Sequence, residues 1–95
     1  MIAEFDIRRE EGDSKGRYVV QVDGHEAEMT FSCLGESTII IDHTGVPDAL
    51  RGRSVGRALV QRGVENARAE GCKIVPLCPF ARAQIARHPE WQEVL

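Results

Sequence analysis

Leu50-Arg51-Gly52-Arg53-Ser54-Val55-Gly56-Arg57-Ala58 joins two segments of different periodicity. Before it, Ile39-Ile40-Ile41 within residues 37–44 is an unbroken apolar run. Such a run suits a central strand covered on both faces. After it, Val55, Ala58, Leu59, Val60, Gly63, Val64 and Ala67 recur on one arc of a 3.6-residue helix, with Arg57, Gln61, Glu65 and Arg68 opposite. The pattern predicts a helix over 52–70 that stops at Gly71. Cys72-Lys73-Ile74-Val75-Pro76-Leu77 then reads as a short buried strand. The three segments make a βαβ unit, with parallel strands and a right-handed crossover.

The joint itself breaks a local rule. A helix N-terminus carries partial positive charge and several unpaired N–H donors, so carboxylates are its expected neighbours. Here Arg51, Arg53 and Arg57 stand among small residues with no carboxylate. An anion resolves the conflict, because exposed amides, the helix dipole and guanidinium groups all favour phosphate. A P-loop needs Lys and a hydroxyl after its last glycine, where Arg57-Ala58 stand. A dinucleotide fingerprint needs a glycine spacing that Gly52 and Gly56 do not have.

Outward from this unit, Arg17-Tyr18-Val19-Val20-Gln21-Val22 and His25-Glu26-Ala27-Glu28-Met29-Thr30-Phe31 flank Asp23-Gly24, a pair favoured in two-residue hairpins. Ala27, Met29 and Phe31 alternate with polar residues, so one face of that strand is buried. A first strand is expected over 3–8, followed by a loop over 11–16. Beyond Pro79, a second helix is expected over 80–88, and Pro89-Glu90-Trp91 opens a last turn whose Trp91 and Leu95 pack back on the sheet.

The chain of 95 residues has 42% hydrophobic and 28% charged residues and a net charge of −3. These values fit one soluble domain over 1–95 and no membrane span. The acidic balance argues against nucleic-acid binding. Cys33, Cys72 and Cys78 are odd in number and irregular in spacing, which fits reduced thiols better than disulfides or a metal site. No secretory leader is visible at the start, so a cytoplasmic setting is expected.

Arg53-x-x-Gly56-x-Ala58 matches the R/Q-x-x-G-x-G/A signature of the GNAT N-acetyltransferase superfamily. The string from His43-Thr44 through Val46-Pro47 and Leu50-Arg51-Gly52 to Val60 resembles its small single-domain branch. Val75-Pro76-Leu77-Cys78-Pro79-Phe80 and His88-Pro89-Glu90-Trp91 extend the likeness over about residues 38–95. The resemblance implies an α/β fold with a GNAT-like mixed sheet: four strands, a helix, a fifth strand and a second helix. The two helices that usually follow the first strand are missing.

It also implies an acetyl-coenzyme A site. The coenzyme would be held by Thr44, Gly45 and Val46 on the strand and by Arg51, Gly52, Arg53, Ser54, Val55, Gly56, Arg57 and Ala58 on the turn. The pantetheine would pass between two parallel strands that splay, near 42–46 and 74–77, with Pro76 removing one ladder donor. Gly52 and Gly56 would let the backbone approach the diphosphate.

Acetyl transfer to an amine needs a proton acceptor and an oxyanion donor, and can use a nucleophile. Cys78, after the fifth strand and at a helix entrance, is the first candidate. His43 is the second, on the same strand face as Ile39 and Ile41, with Asp42 on the opposite face. The N–H of Val46, held extended before Pro47, is a candidate oxyanion donor. His25 and His88 read as structural, Cys33 and Cys72 as buried packing residues, and Glu26 and Glu28 as a wet strand face.

With the two helices missing, the acceptor side is open, which suits an amine on a polypeptide. The sequence therefore predicts an acetyl-coenzyme A-dependent N-acetyltransferase, monomeric or weakly dimeric. The competing readings are a non-catalytic acyl-coenzyme A sensor and an interaction module whose arginine turn binds an acidic surface.

Overall fold

The computed structural model describes residues 5–95. One five-stranded sheet runs in chain order: β1 Arg8–Glu11, β2 Lys15–Val22, β3 His25–Leu34, β4 Thr38–Gly45 and β5 Lys73–Pro76. Neighbours are antiparallel up to β4, and β5 joins β4 in parallel. Helices α1 Val55–Glu70 and α2 Pro79–Arg87 complete the expected order, with single 3-10 segments at Asp48–Leu50 and Pro89–Val94. Only Gly12, Asp13 and Ser14 separate β1 from β2, so no helix stands there.

The hairpins obey local chemistry. Asp23 (φ 51°) and Gly24 (φ 80°) both adopt the left-handed conformation that a tight two-residue turn requires. Ala27, Met29 and Phe31 on β3 are buried, as their alternation predicts. Leu59, Val60, Val64 and Ala67 of α1 pack on them with Ile41, Ile74 and Ile85. Gly63 lets the helix approach the sheet closely: a Cβ there would stand 2.9 Å from Met29 Cε. Gly71 (φ 71°) ends α1 with Cys72 N–H donating to the Ala67 carbonyl at 2.8 Å.

Several boundaries differ from expectation. Among the described residues the first strand begins at Arg8, and residues 3 and 4 of the strand expected over 3–8 lie outside the described residues. Phe5 and Ile7 pack against the core from outside the sheet. The loop expected over 11–16 narrows to Gly12, Asp13 and Ser14, and β1 before it is an edge strand held by Arg9 to Glu70 and by Glu10 to Arg17.

The helix expected from Gly52 starts at Val55, because Gly52 (φ 78°) and Ser54 (φ 62°) are left-handed. β5 is shorter than 72–77, and of its residues only Ile74 is buried, while Val75 is exposed. Ile40 is likewise half-buried, so the helices cover one face of β4 and β5 but not the other. The second helix starts at Pro79, not Phe80, and ends at Arg87. Val94, not Leu95, joins Trp91 in the core. Cys33 is exposed and Cys72 half-buried, contrary to the expectation that both are interior.

Candidate functional site

The site begins where the β4–β5 ladder stops. Pairing runs from Thr38 with Lys73 to Ile41 with Pro76. Pro76 has no N–H to continue it, and the Ile41 carbonyl instead accepts from both Leu77 and Cys78 amides at 3.1 Å. From Asp42 to Gly45, β4 pairs only with β3. The two parallel strands therefore part after Ile41, as expected of an opening for a narrow ligand arm.

A β-bulge lies at the same level. Phe31 pairs with Ile41 and Thr30 with His43, leaving Asp42 as the extra residue. The extra residue reverses the alternation. Thr44 therefore shares the core face with Ile39 and Ile41, while His43 follows Asp42 onto the uncovered face. This corrects the placement of His43 beside Ile39 and Ile41. Asp42 accepts a hydrogen bond from the Ser32 hydroxyl at 2.7 Å.

Thr44 meets Cys78 across the opening, with Sγ 3.5 Å from Oγ1. Cys78 is buried, at the entrance of α2. Burial pushes its thiol up, but the Thr44 hydroxyl and the amides of Ala81, Phe80 and Thr44 outweigh that, so it stands below the ordinary thiol value. His43 and Cys78 occupy opposite faces of β4, so they form no nucleophile–base pair. The Val46 N–H has no acceptor among the described residues.

On the covered side a groove of about 770 Å³ runs between the start of α1 and one face of α2. Thr44, Val46, Arg51, Gly52, Ser54, Val55, Gly56 and Arg57 line one wall, with Leu50. Ser54 precedes α1 but makes no side-chain cap, and no acidic residue lies in the first turn. The amides of Ser54, Val55, Gly56 and Arg57 consequently have no acceptor among the described residues. That row of donors, with Arg57 beside it, fits an anionic diphosphate.

Not every expected contact is present. Arg53 turns away to Asp23 in the β2–β3 hairpin, and Arg51 pairs with Asp48 at 3.0 Å on the exposed rim. Gly45 and Ala58 do not line the groove. The need for glycine at 56 comes from within the protein: a Cβ would stand 2.8 Å from Phe80 Cζ.

The opposite wall is absent from the sequence-based expectation. Phe80, Gln84, Arg87 and His88 line it from α2 and its end. His88 is a structural residue as well, its Nδ1 2.8 Å from the Gln84 carbonyl and its ring stacked on Trp91 at 3.8 Å. The helical spacing of Phe80, Gln84, Arg87 and His88 is the signal that could have found it, since they share the face left by buried Ala81 and Ile85. Among the described residues no helix is long and apolar enough to cross a membrane.

The description GCN5-related N-acetyl-transferase belongs to a family whose sequence pattern matches residues 17–94. Protein NATD1 of Xenopus tropicalis is 27% identical over 85 residues, covering 87% of this chain and 78% of its own. Protein NATD1 of Homo sapiens is 26% identical, covering 87% and 75%. The NMR solution structure of a GCN5-like protein from Staphylococcus aureus superimposes with a TM-score of 0.70 at 34% identity, covering 92% of this chain and 85% of that one.

Proposed function

This chain belongs to the GCN5-related N-acetyltransferase family, and from that premise we propose that it binds acetyl-coenzyme A in the groove and transfers the acetyl group to an amine on a polypeptide. The observation that carries the reading is the row of unpaired amides at Ser54, Val55, Gly56 and Arg57, opening on a groove that reaches the β4–β5 gap. These amides and Arg57 hold the diphosphate, and Thr44 and Val46 flank the pantetheine arm. When bound, the coenzyme supplies an acyl carbon activated as a thioester.

The chain's own groups act from two sides of β4. On the covered side, Thr44 and the amides at the start of α2 hold Cys78 as the group able to accept an acyl group. The Val46 N–H donates to the oxygen that gains charge. The gap left where the β4–β5 ladder ends joins the two faces, so an amine arriving from the uncovered side would meet the acyl carbon there, lose its proton to His43 and displace the sulfur that carries the acyl group. With no helix between β1 and β2 to wall off that side, an amine carried on a polypeptide can approach.

Titration calorimetry with acetyl-coenzyme A, followed by mass spectrometry after incubation with isotope-labelled coenzyme and a peptide panel, tests the reading. A saturable heat and label on peptide amines are expected. No saturable heat overturns the coenzyme assignment. Binding without label on Cys78 or on any amine makes the protein an acyl-coenzyme A sensor.

A further inference from the structure

Ten arginines occur in the chain, and most are satisfied internally. Arg9, Arg17, Arg51, Arg53 and Arg68 have carboxylate partners. Arg62 and Arg82 donate to backbone carbonyls. Arg8, Arg57 and Arg87 have no acceptor among the described residues, and two of these line the groove, Arg57 from α1 and Arg87 from the end of α2. The groove thus carries a free guanidinium on each wall.

We propose that the Arg87 wall binds a phosphate monoester, the 3′-phosphate of the coenzyme's nucleotide, and so separates coenzyme A from its dephospho form. The proposal rests on the coenzyme reading above. One wall already supplies a diphosphate with a row of amides and Arg57. The unpaired guanidinium of Arg87 lines the other wall, where it can take a second anion on the same ligand. A monoester dianion suits it, since a guanidinium can bind two of its oxygens at once. The groove, at about 770 Å³, is in the size range of sites for ligands with several groups.

The wall is also fixed in place. His88, next to Arg87, is held by the Gln84 carbonyl at 2.8 Å and stacked on buried Trp91 at 3.8 Å. Arg87 itself is exposed. Its replacement is therefore expected to leave the fold intact.

Calorimetry of the full chain with coenzyme A and with dephospho-coenzyme A, for the wild type and for Arg87→Gln and Arg87→Lys, tests the proposal. The wild type is expected to prefer coenzyme A by roughly tenfold, the scale of one charge-assisted contact. Arg87→Gln should bring the two ligands within about twofold by weakening coenzyme A alone, with Arg87→Lys between. Equal weakening of both ligands, an undiminished preference in Arg87→Gln, or no preference in the wild type overturns the proposal while the coenzyme reading stands. Absence of binding of either ligand to the wild type overturns both.

Discussion

Cys78 Sγ lies 3.5 Å from Thr44 Oγ1 across the point where β4 and β5 separate. The contact exists because the bulge at Asp42 turns Thr44 onto the covered face. Burial alone would raise the thiol, so its depressed state depends on this hydroxyl and the α2 amides. Thr44→Val removes the hydroxyl while keeping the shape, and the Cys78 titration should move upward. Thiolate absorbance against pH, recorded in a background lacking Cys33 and Cys72, checks it; an unmoved curve assigns the shift to the amides alone.

His43 sits on the other face of the same strand, exposed and away from the groove. His43→Ala should therefore lower kcat by roughly a hundredfold, a typical effect of losing a general base. The Kd for acetyl-coenzyme A should stay unchanged. Steady-state kinetics beside calorimetry separates the two, and equal losses in both would remove His43 from the proton path.

Gly56 and Phe80 are coupled through space. Gly56→Ala places a methyl 2.8 Å from the Phe80 ring tip and 3.3 Å from Val46 Cγ2. Overpacking of this kind costs about 1–3 kcal/mol, and a half-exposed ring that can swing aside puts the cost near the lower end. Gly56→Ala should weaken coenzyme binding along with stability, and Phe80→Ala in the same chain should restore most of the stability. Denaturant unfolding of the double-mutant cycle measures the coupling.

Much of the fold is legible in the amino-acid order, because the periods of 2 and 3.6 in residues 17–77 are strong and Asp23-Gly24 and Gly71 punctuate them. The face of His43 is not. A bulge is set by how β3 and β4 register against each other, and nothing local to Ile41-Asp42-His43 signals it. The role of Arg53 is hidden for a similar reason, since its partner Asp23 is distant in sequence and close only after the hairpin folds back. Gly56 reads as a point of backbone approach to a ligand, whereas Phe80 occupies that space. The α2 wall has a helical spacing, but Arg87 breaks no local rule. A cation in the last turn of a helix is its ordinary place, so nothing in the sequence marks this one as a ligand contact.

Arg9 reaches across from β1 to Glu70 at the end of α1 with two hydrogen bonds. The Arg9 guanidinium holds the Glu70 carboxyl below its usual range. Its folded value being lowered, the contribution is present above the unfolded carboxylate value of roughly 4.3 and lost as pH falls through the folded one. Hydrogen exchange should thus show β1 amides opening ahead of β3 as pH drops below about 4. Glu70→Gln should give the same early opening at neutral pH, and equal protection of β1 in both proteins would contradict the role of the pair.

The coenzyme assignment rests on the unpaired amides at the start of α1, and they can be watched directly. In amide-resolved NMR with acetyl-coenzyme A added to saturation, the N–H signals of Ser54, Val55, Gly56 and Arg57 should move most and shift downfield as they gain acceptors. If those four signals stay in place at millimolar coenzyme, or the movement gathers on the uncovered face of the sheet, the groove is not the acyl-donor site.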